Sequence, residues 1–237
     1  MDIETQTSMR YAVIGAAISF GISLIAYCIM VTLLPHYLSG GDMYLADYSS
    51  FLRILIMANI IQFVMLPVLL TFFINDAGEL ENFTKTGLIE NAWKVNVLGV
   101  FIILVGAGIM GWAMASMFPG WGIVGDPNAV YGNAIKLMNA SMLIQSLGFG
   151  MPVFYFLLSK YMARDEIPFT KMEIRADLIG IVFSVIMFVP AVIMTVSAIA
   201  FPIAGVFGII STIVGIFWCM LLFIALKQRD LPDVPED

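Results

Sequence analysis

Six apolar stretches dominate the chain, at 11–34, 51–74, 95–118, 135–159, 178–201 and 203–226. Each is close to the roughly 20 residues that an α-helix needs to cross about 30 Å of hydrocarbon, and none carries an acidic residue in its middle. In lipid the backbone finds no water, and a helix satisfies its N–H and C=O groups within one segment. The pattern predicts an all-α fold: a polytopic membrane bundle of six transmembrane helices, forming a single integral-membrane domain over 1–237 with 227–237 as a cytoplasmic tail. Composition agrees, because 61% of residues are hydrophobic, 12% are charged and the mean hydropathy is +0.97, well outside the range of soluble domains. The first stretch is too long for a signal-peptide core and lacks a small-residue cleavage site, so it is expected to be retained.

Lysines and arginines near the helix ends set the expected orientation. With six spans both termini share a side, and that side receives Arg10, Lys85, Lys94, Lys160, Arg164, Lys171, Arg175, Lys227 and Arg229, nine of the eleven cations. Arg53 and Lys136 fall on the other. The chain is therefore expected in the cytoplasmic (inner) membrane with both termini in the cytoplasm. Its net charge of -6 does not oppose this, since Asp and Glu weigh little in the rule. Asp76, Glu79, Glu81, Glu90, Asp165, Glu166, Glu173 and Asp177 sit beside the cytoplasmic cations and read as a solvated, salt-bridged face.

A second pattern overlays the first. Pro35, Gly41-Asp42, Arg53, Ile61-Gln62, Pro67, Phe83-Thr84-Lys85, Val100-Phe101, Ile109-Met110 and Phe118-Pro119 are matched by Pro119, Gly125-Asp126, Lys136, Ile144-Gln145, Pro152, Phe169-Thr170-Lys171, Val182-Phe183, Ile193-Met194 and Phe201-Pro202, at offsets of 82 to 86 residues. Individual matches in an apolar chain are cheap, so the weight lies in their order and narrow spacing. A period of two spans makes successive copies parallel, which predicts three tandem helical hairpins, 1–2, 3–4 and 5–6. Gly-Asp would mark the outer turns and Phe-Thr-Lys the inner loops. After Phe201-Pro202 the chain re-enters the membrane at once, so the third hairpin lacks the outer loop of the other two.

Small residues indicate packing faces, because they let helix backbones approach closely in lipid. Helix 1 offers Gly15, Ser19 and Ser23; helix 3 offers Ala107, Gly111 and Ala115; helix 6 offers Gly208, Ser211, Thr212 and Gly215. Pro67 and Pro152 should bend helices 2 and 4 and free one carbonyl each. Cys28 and Cys219 lie at different depths, too far apart for a disulfide.

Chemistry-bearing residues are few. The most polar intramembrane set is Asn59 and Gln62 in helix 2 with Asn139 and Gln145 in helix 4. Amides in hydrocarbon ordinarily serve as interhelical hydrogen-bonding groups, and a solute path is the alternative. In the outer loops His36, Asp42, Asp47 and Asp126, above Arg53 and Lys136, would form a polar vestibule. Such residues also make ordinary turns, so no metal site is assigned to them. His36 is the only histidine, which excludes an intramembrane haem held by two histidines of this chain. No cofactor is expected on this chain alone, while bound lipids are. No GxSxG, Walker A, HExxH or basic groove suggests soluble enzymology or nucleic-acid binding.

The expected function is that of a non-catalytic integral-membrane subunit that anchors or scaffolds a larger membrane complex, for example a respiratory or other energy-conserving one. Its partners would be the lipid bilayer and other membrane subunits or further copies of itself. The alternative is a small transporter or channel for a neutral solute or ion along a polar path in helices 2 and 4.

Overall fold

The computed structural model describes residues 3–32, 65–77, 88–117, 127–164, 170–196 and 201–228, and among these it is helical with no strand. The helices are α1 (Ile3–Thr32), α2 (Met65–Ala77), α3 (Leu88–Met117), α4 (Pro127–Met162), α5 (Lys171–Ile186), α6 (Phe188–Val196) and α7 (Phe201–Gln228). Five segments, Gln6–Ile29, Glu90–Ala113, Ala140–Met162, Lys171–Ile193 and Gly205–Gln228, are long and apolar enough to cross a membrane, and Met65–Ala77 is a shorter apolar helix. This is the build of an integral membrane protein. The first part of the expected second span, 51–64, lies outside the described residues.

Helices begin earlier than hydropathy suggests, since a polar first turn is invisible to it. The α1 helix starts eight residues before the expected boundary at residue 11 because polar side chains of its first turns have partners: Gln6 Nε2 and an Arg10 guanidinium nitrogen donate to the Leu226 carbonyl, at 3.2 and 3.4 Å. That carbonyl lies in the last turn of α7, where backbone acceptors have no partner within their own helix. The α5 helix likewise starts at Lys171 rather than 178, because Thr170 and Glu173 form a capping box: Thr170 Oγ1 accepts from the Glu173 amide (3.2 Å), and the Thr170 amide donates to Glu173 Oε2 (2.9 Å). Thr170 and Lys171 are thus a helix start rather than part of an inner loop.

Prolines act unequally. The α4 helix runs through Pro152 without interruption, whereas the helical run of α5 and α6 is broken by a turn at Met187. Pro190 has no N–H to give to Ile186, four residues back, which accounts for the break.

Packing is antiparallel between neighbours. The N-terminal turns of α1 meet the C-terminal turns of α7 through Arg10 and Leu226, and α4 and α5 meet through Lys160 and Asp177. Among the described residues, Arg10, Lys94, Lys160, Arg164, Lys171, Arg175 and Lys227 lie toward that end of the bundle and Lys136 toward the other. The core is one continuous cluster that includes Met9, Val13, Phe20, Leu69, Ile74, Phe156, Phe183 and Leu226.

The α3/α4 seam shows how the faces were chosen. Ala92, Asn96, Gly99, Ile103, Gly106, Met110 and Ala113 are all buried, at alternating intervals of four and three that keep one stripe facing one partner. On α4 the matching stripe is Ser141, Gln145, Gly148 and Pro152. A Cβ added at Gly148 would lie 2.7 Å from the Gly99 carbonyl oxygen, and one added at Gly99 would strike Pro152 and the Gly148 carbonyl. The two backbones are in contact. The expected face of helix 3 was different: Gly111 is exposed, with open space where a Cβ would stand. In α1 and α7 the small residues do lie at the contact: Ser19, Ser23, Gly208, Ser211, Thr212 and Gly215 are buried, and Gly208 receives the Tyr27 ring.

These distances predict opposite outcomes for two glycines of similar sequence context. Gly148→Ala should lower stability by about 1–3 kcal/mol through overpacking, whereas Gly111→Ala should change it by no more than about 0.5 kcal/mol. Reversible unfolding of the purified protein by SDS titration measures both.

Candidate functional site

Of the expected polar set, Gln145 is the member whose surroundings are described. It is buried on α4, and its Nε2 donates to Ser141 Oγ (2.9 Å), which donates in turn to the Gly106 carbonyl of α3 (2.7 Å). Gly106 makes this possible, because a Cβ there would lie 2.7 Å from Gln145 Cγ. One amide, one hydroxyl and one glycine therefore tie α3 to α4. Asn139 lies on the same helix, six residues earlier, with its side chain outside the described residues, as are Asn59 and Gln62.

Beyond this tie Gln145 also borders a cavity of about 60 Å³ lined by residues of α1, α4, α5 and α7. Phe20, Ser23 and Tyr27 come from α1; Met142, Gln145, Ser146 and Phe149 from α4; Phe183 and Met187 from the α5 region; Ser211 and Thr212 from α7. The sequence gives no motif for this group, since its hydroxyls are scattered over 190 positions and each resembles an ordinary helix-packing residue. Ser146 donates to the Met142 carbonyl (2.8 Å) and Thr212 to the Gly208 and Ile209 carbonyls (3.0 and 2.9 Å), the usual way a hydroxyl is satisfied within a helix.

An aromatic stack closes one end of the cavity. Phe20 meets Phe183 edge to face with centroids 5.1 Å apart, and Phe183 stacks on Trp218 at 5.5 Å. Beyond the stack lies a mostly apolar space lined by Trp218, Phe156, Leu157, Leu222 and Asp177.

The expectation of a solvated, salt-bridged acidic face holds at Glu90, which pairs with Lys94 on the exposed start of α3, and is corrected at Asp177. Its carboxylate lies 3.1 Å from Lys160 Nζ, with the two side chains only 2% and 6% exposed, and Glu173 is buried as well. Asp177 lies six residues inside α5 and Lys160 two residues before the end of α4, so the pair pins these antiparallel helices near the cation-rich end. Adjacent positively charged residues masked the signal in sequence. What it required was the helix start at Lys171, which turns Asp177 from a loop residue into an inward-facing helical one.

The expected outer vestibule is not assembled by the described residues. Lys136 is exposed on α4, while His36, Asp42, Asp47, Arg53 and Asp126 lie outside them. Among the described residues no three His, Cys, Asp or Glu side chains are grouped to hold a metal ion.

The α3 helix carries a second stripe opposite the first. Val97, Phe101, Leu104, Gly108 and Gly111 recur at the same alternating intervals and are exposed, Phe101 at 63% and Leu104 at 64%. Gly108 and Gly111 have nothing within 4 Å of a Cβ position, so they form a notch between Leu104 and the exposed Trp112. Comparison with family models, curated proteins and solved structures finds no match for the chain.

Breaking the buried pair on one side removes the counter-charge that Lys160 sets 3.1 Å from the Asp177 carboxylate. Lys160→Met is expected to cost about 3–5 kcal/mol, and Lys160→Met with Asp177→Leu to recover most of that loss. SDS unfolding of the single and double variants tests the coupling; equal stability of the single variant and the parent would exclude it.

Proposed function

We propose that the chain is a non-catalytic integral-membrane subunit that anchors or scaffolds a larger membrane complex, with the outward stripe of α3 as its docking face. The carrying observation is that stripe. In lipid, large apolar side chains face outward at no cost, but glycines at helical spacing serve backbone approach. Gly108 and Gly111 repeat on the free face the device that Gly99 and Gly106 use on the buried one. Of the five spanning segments, Glu90–Ala113 also has the smallest share buried within the chain, 28%.

In this reading the chain has six spans arranged as three tandem hairpins, lies in the inner membrane and keeps both termini in the cytoplasm. The repeat supports the hairpins, and the concentration of cations at one end of the bundle supports the orientation. The competing reading is a small transporter or channel for a neutral solute or ion, and the polar wall around Gln145 favours it.

Purification from the native membrane in mild detergent separates the two. Stoichiometric partner subunits are expected with the parent chain and their loss with Gly108→Leu/Gly111→Leu, whose thermal stability should match the parent because both sites are open. Recovery alone, or as a homo-oligomer that conducts solute in liposomes, would replace the scaffold by the transporter.

A further inference from the structure

The polar cavity has more hydrogen-bonding capacity than the protein uses. Gln145, Tyr27 and Ser211 line it, and Gln145 Oε1, Tyr27 Oη and Ser211 Oγ make no hydrogen bond among the described residues. The bonded hydroxyls of Ser146 and Thr212 donate to their own helices, which leaves their lone pairs to accept. A group of donors and acceptors held this way within a membrane bundle is costly when nothing meets it.

We propose that this cavity is a binding site for a small neutral solute that carries both a hydrogen-bond donor and an acceptor, of the size and chemistry of a short-chain amide. Three features define that class. Among the described residues no Asp, Glu, Lys, Arg or His lines the cavity, so none of them compensates a charged ligand. Its volume of about 60 Å³ corresponds to about four to six waters at 10–15 Å³ each, which suits a molecule of a few heavy atoms. The amide oxygen of Gln145 accepts from the ligand's N–H, while the Tyr27 and Ser211 hydroxyls donate to its carbonyl. Phe20, Phe149 and Phe183 supply the apolar walls that orient a planar group, and the Phe20–Phe183–Trp218 stack bars passage toward the Lys160–Asp177 end. The site stands on different observations from the α3 docking face, and either holds without the other.

Acetamide is the probe, measured by equilibrium binding of the radiolabelled compound to the full chain in lipid nanodiscs. Saturable binding is expected, competed by unlabelled acetamide. Tyr27→Phe/Ser211→Ala should weaken it about tenfold, the equivalent of two neutral hydrogen bonds. Neither hydroxyl has a protein partner among the described residues, so the thermal midpoint should not fall; Ser146→Ala, whose hydroxyl is tied to its own helix, should bind nearly as the parent does. Two results overturn the proposal: no saturable binding to the folded parent, as for a cavity that holds water only, or undiminished binding to a folded Tyr27→Phe/Ser211→Ala variant.

Discussion

The contact between two helix backbones at Gly99 and Gly148 is the constraint on which the rest of the bundle depends. Lipid tails are as apolar as leucine, so no hydrophobic force brings α3 to α4. Close approach must supply the attraction through dispersion and short polar contacts, and it is available only where side chains are absent. With the axes that near, Ser141 reaches the Gly106 carbonyl and Gln145 reaches Ser141. The position of Gln145, and with it one wall of the polar cavity, follows from glycine spacing on a different helix.

The two ends of the interior are treated differently. Near the cation-rich end, charge is neutralised by direct pairing of Lys160 with Asp177, and the Arg10 and Gln6 side chains cap the carbonyl that α7 leaves open. Further in, polarity is neutral and diluted among one amide and several hydroxyls, of which Ser146 and Thr212 bond to their own helices. Desolvation explains the division, because a buried ion needs a full counter-charge and good geometry, whereas a hydroxyl can be satisfied four residues back on the same backbone. The Phe20–Phe183–Trp218 stack keeps the two regions apart.

Much of the fold was legible, and the parts that were not share a cause. Spanning segments were placed within a few residues at their hydrophobic ends: α7 (Phe201–Gln228) matches 203–226, and α3 (Leu88–Met117) ends one residue from 118. Starts were missed where a polar turn is stabilised by something other than hydropathy. For α5 the Thr170-x-x-Glu173 signature was in plain view, but its match to Phe83-Thr84-Lys85 drew it into a loop. For α1 the partner of Arg10 is 216 residues away. Of the site, Gln145 was identified by its chemistry, while Tyr27, Ser211 and the Lys160–Asp177 pair were not, because each acquires meaning only from a neighbour on another helix.

By itself the sequence determined that this chain is helical, that its long segments match a membrane, and that its cations gather at alternate helix ends. Those properties follow from the length of apolar runs and the cost of unsatisfied backbone in lipid. Only the tertiary structure decided which face of each helix turns inward. A helix that is apolar all round carries almost no asymmetry from which to read its inner side, so Gly106 and Gly111 are equivalent in sequence. The first is sealed against Ser141 and Gln145 and the second is left open, because a backbone contact selects the stripe that fits a partner and leaves the opposite stripe uncovered.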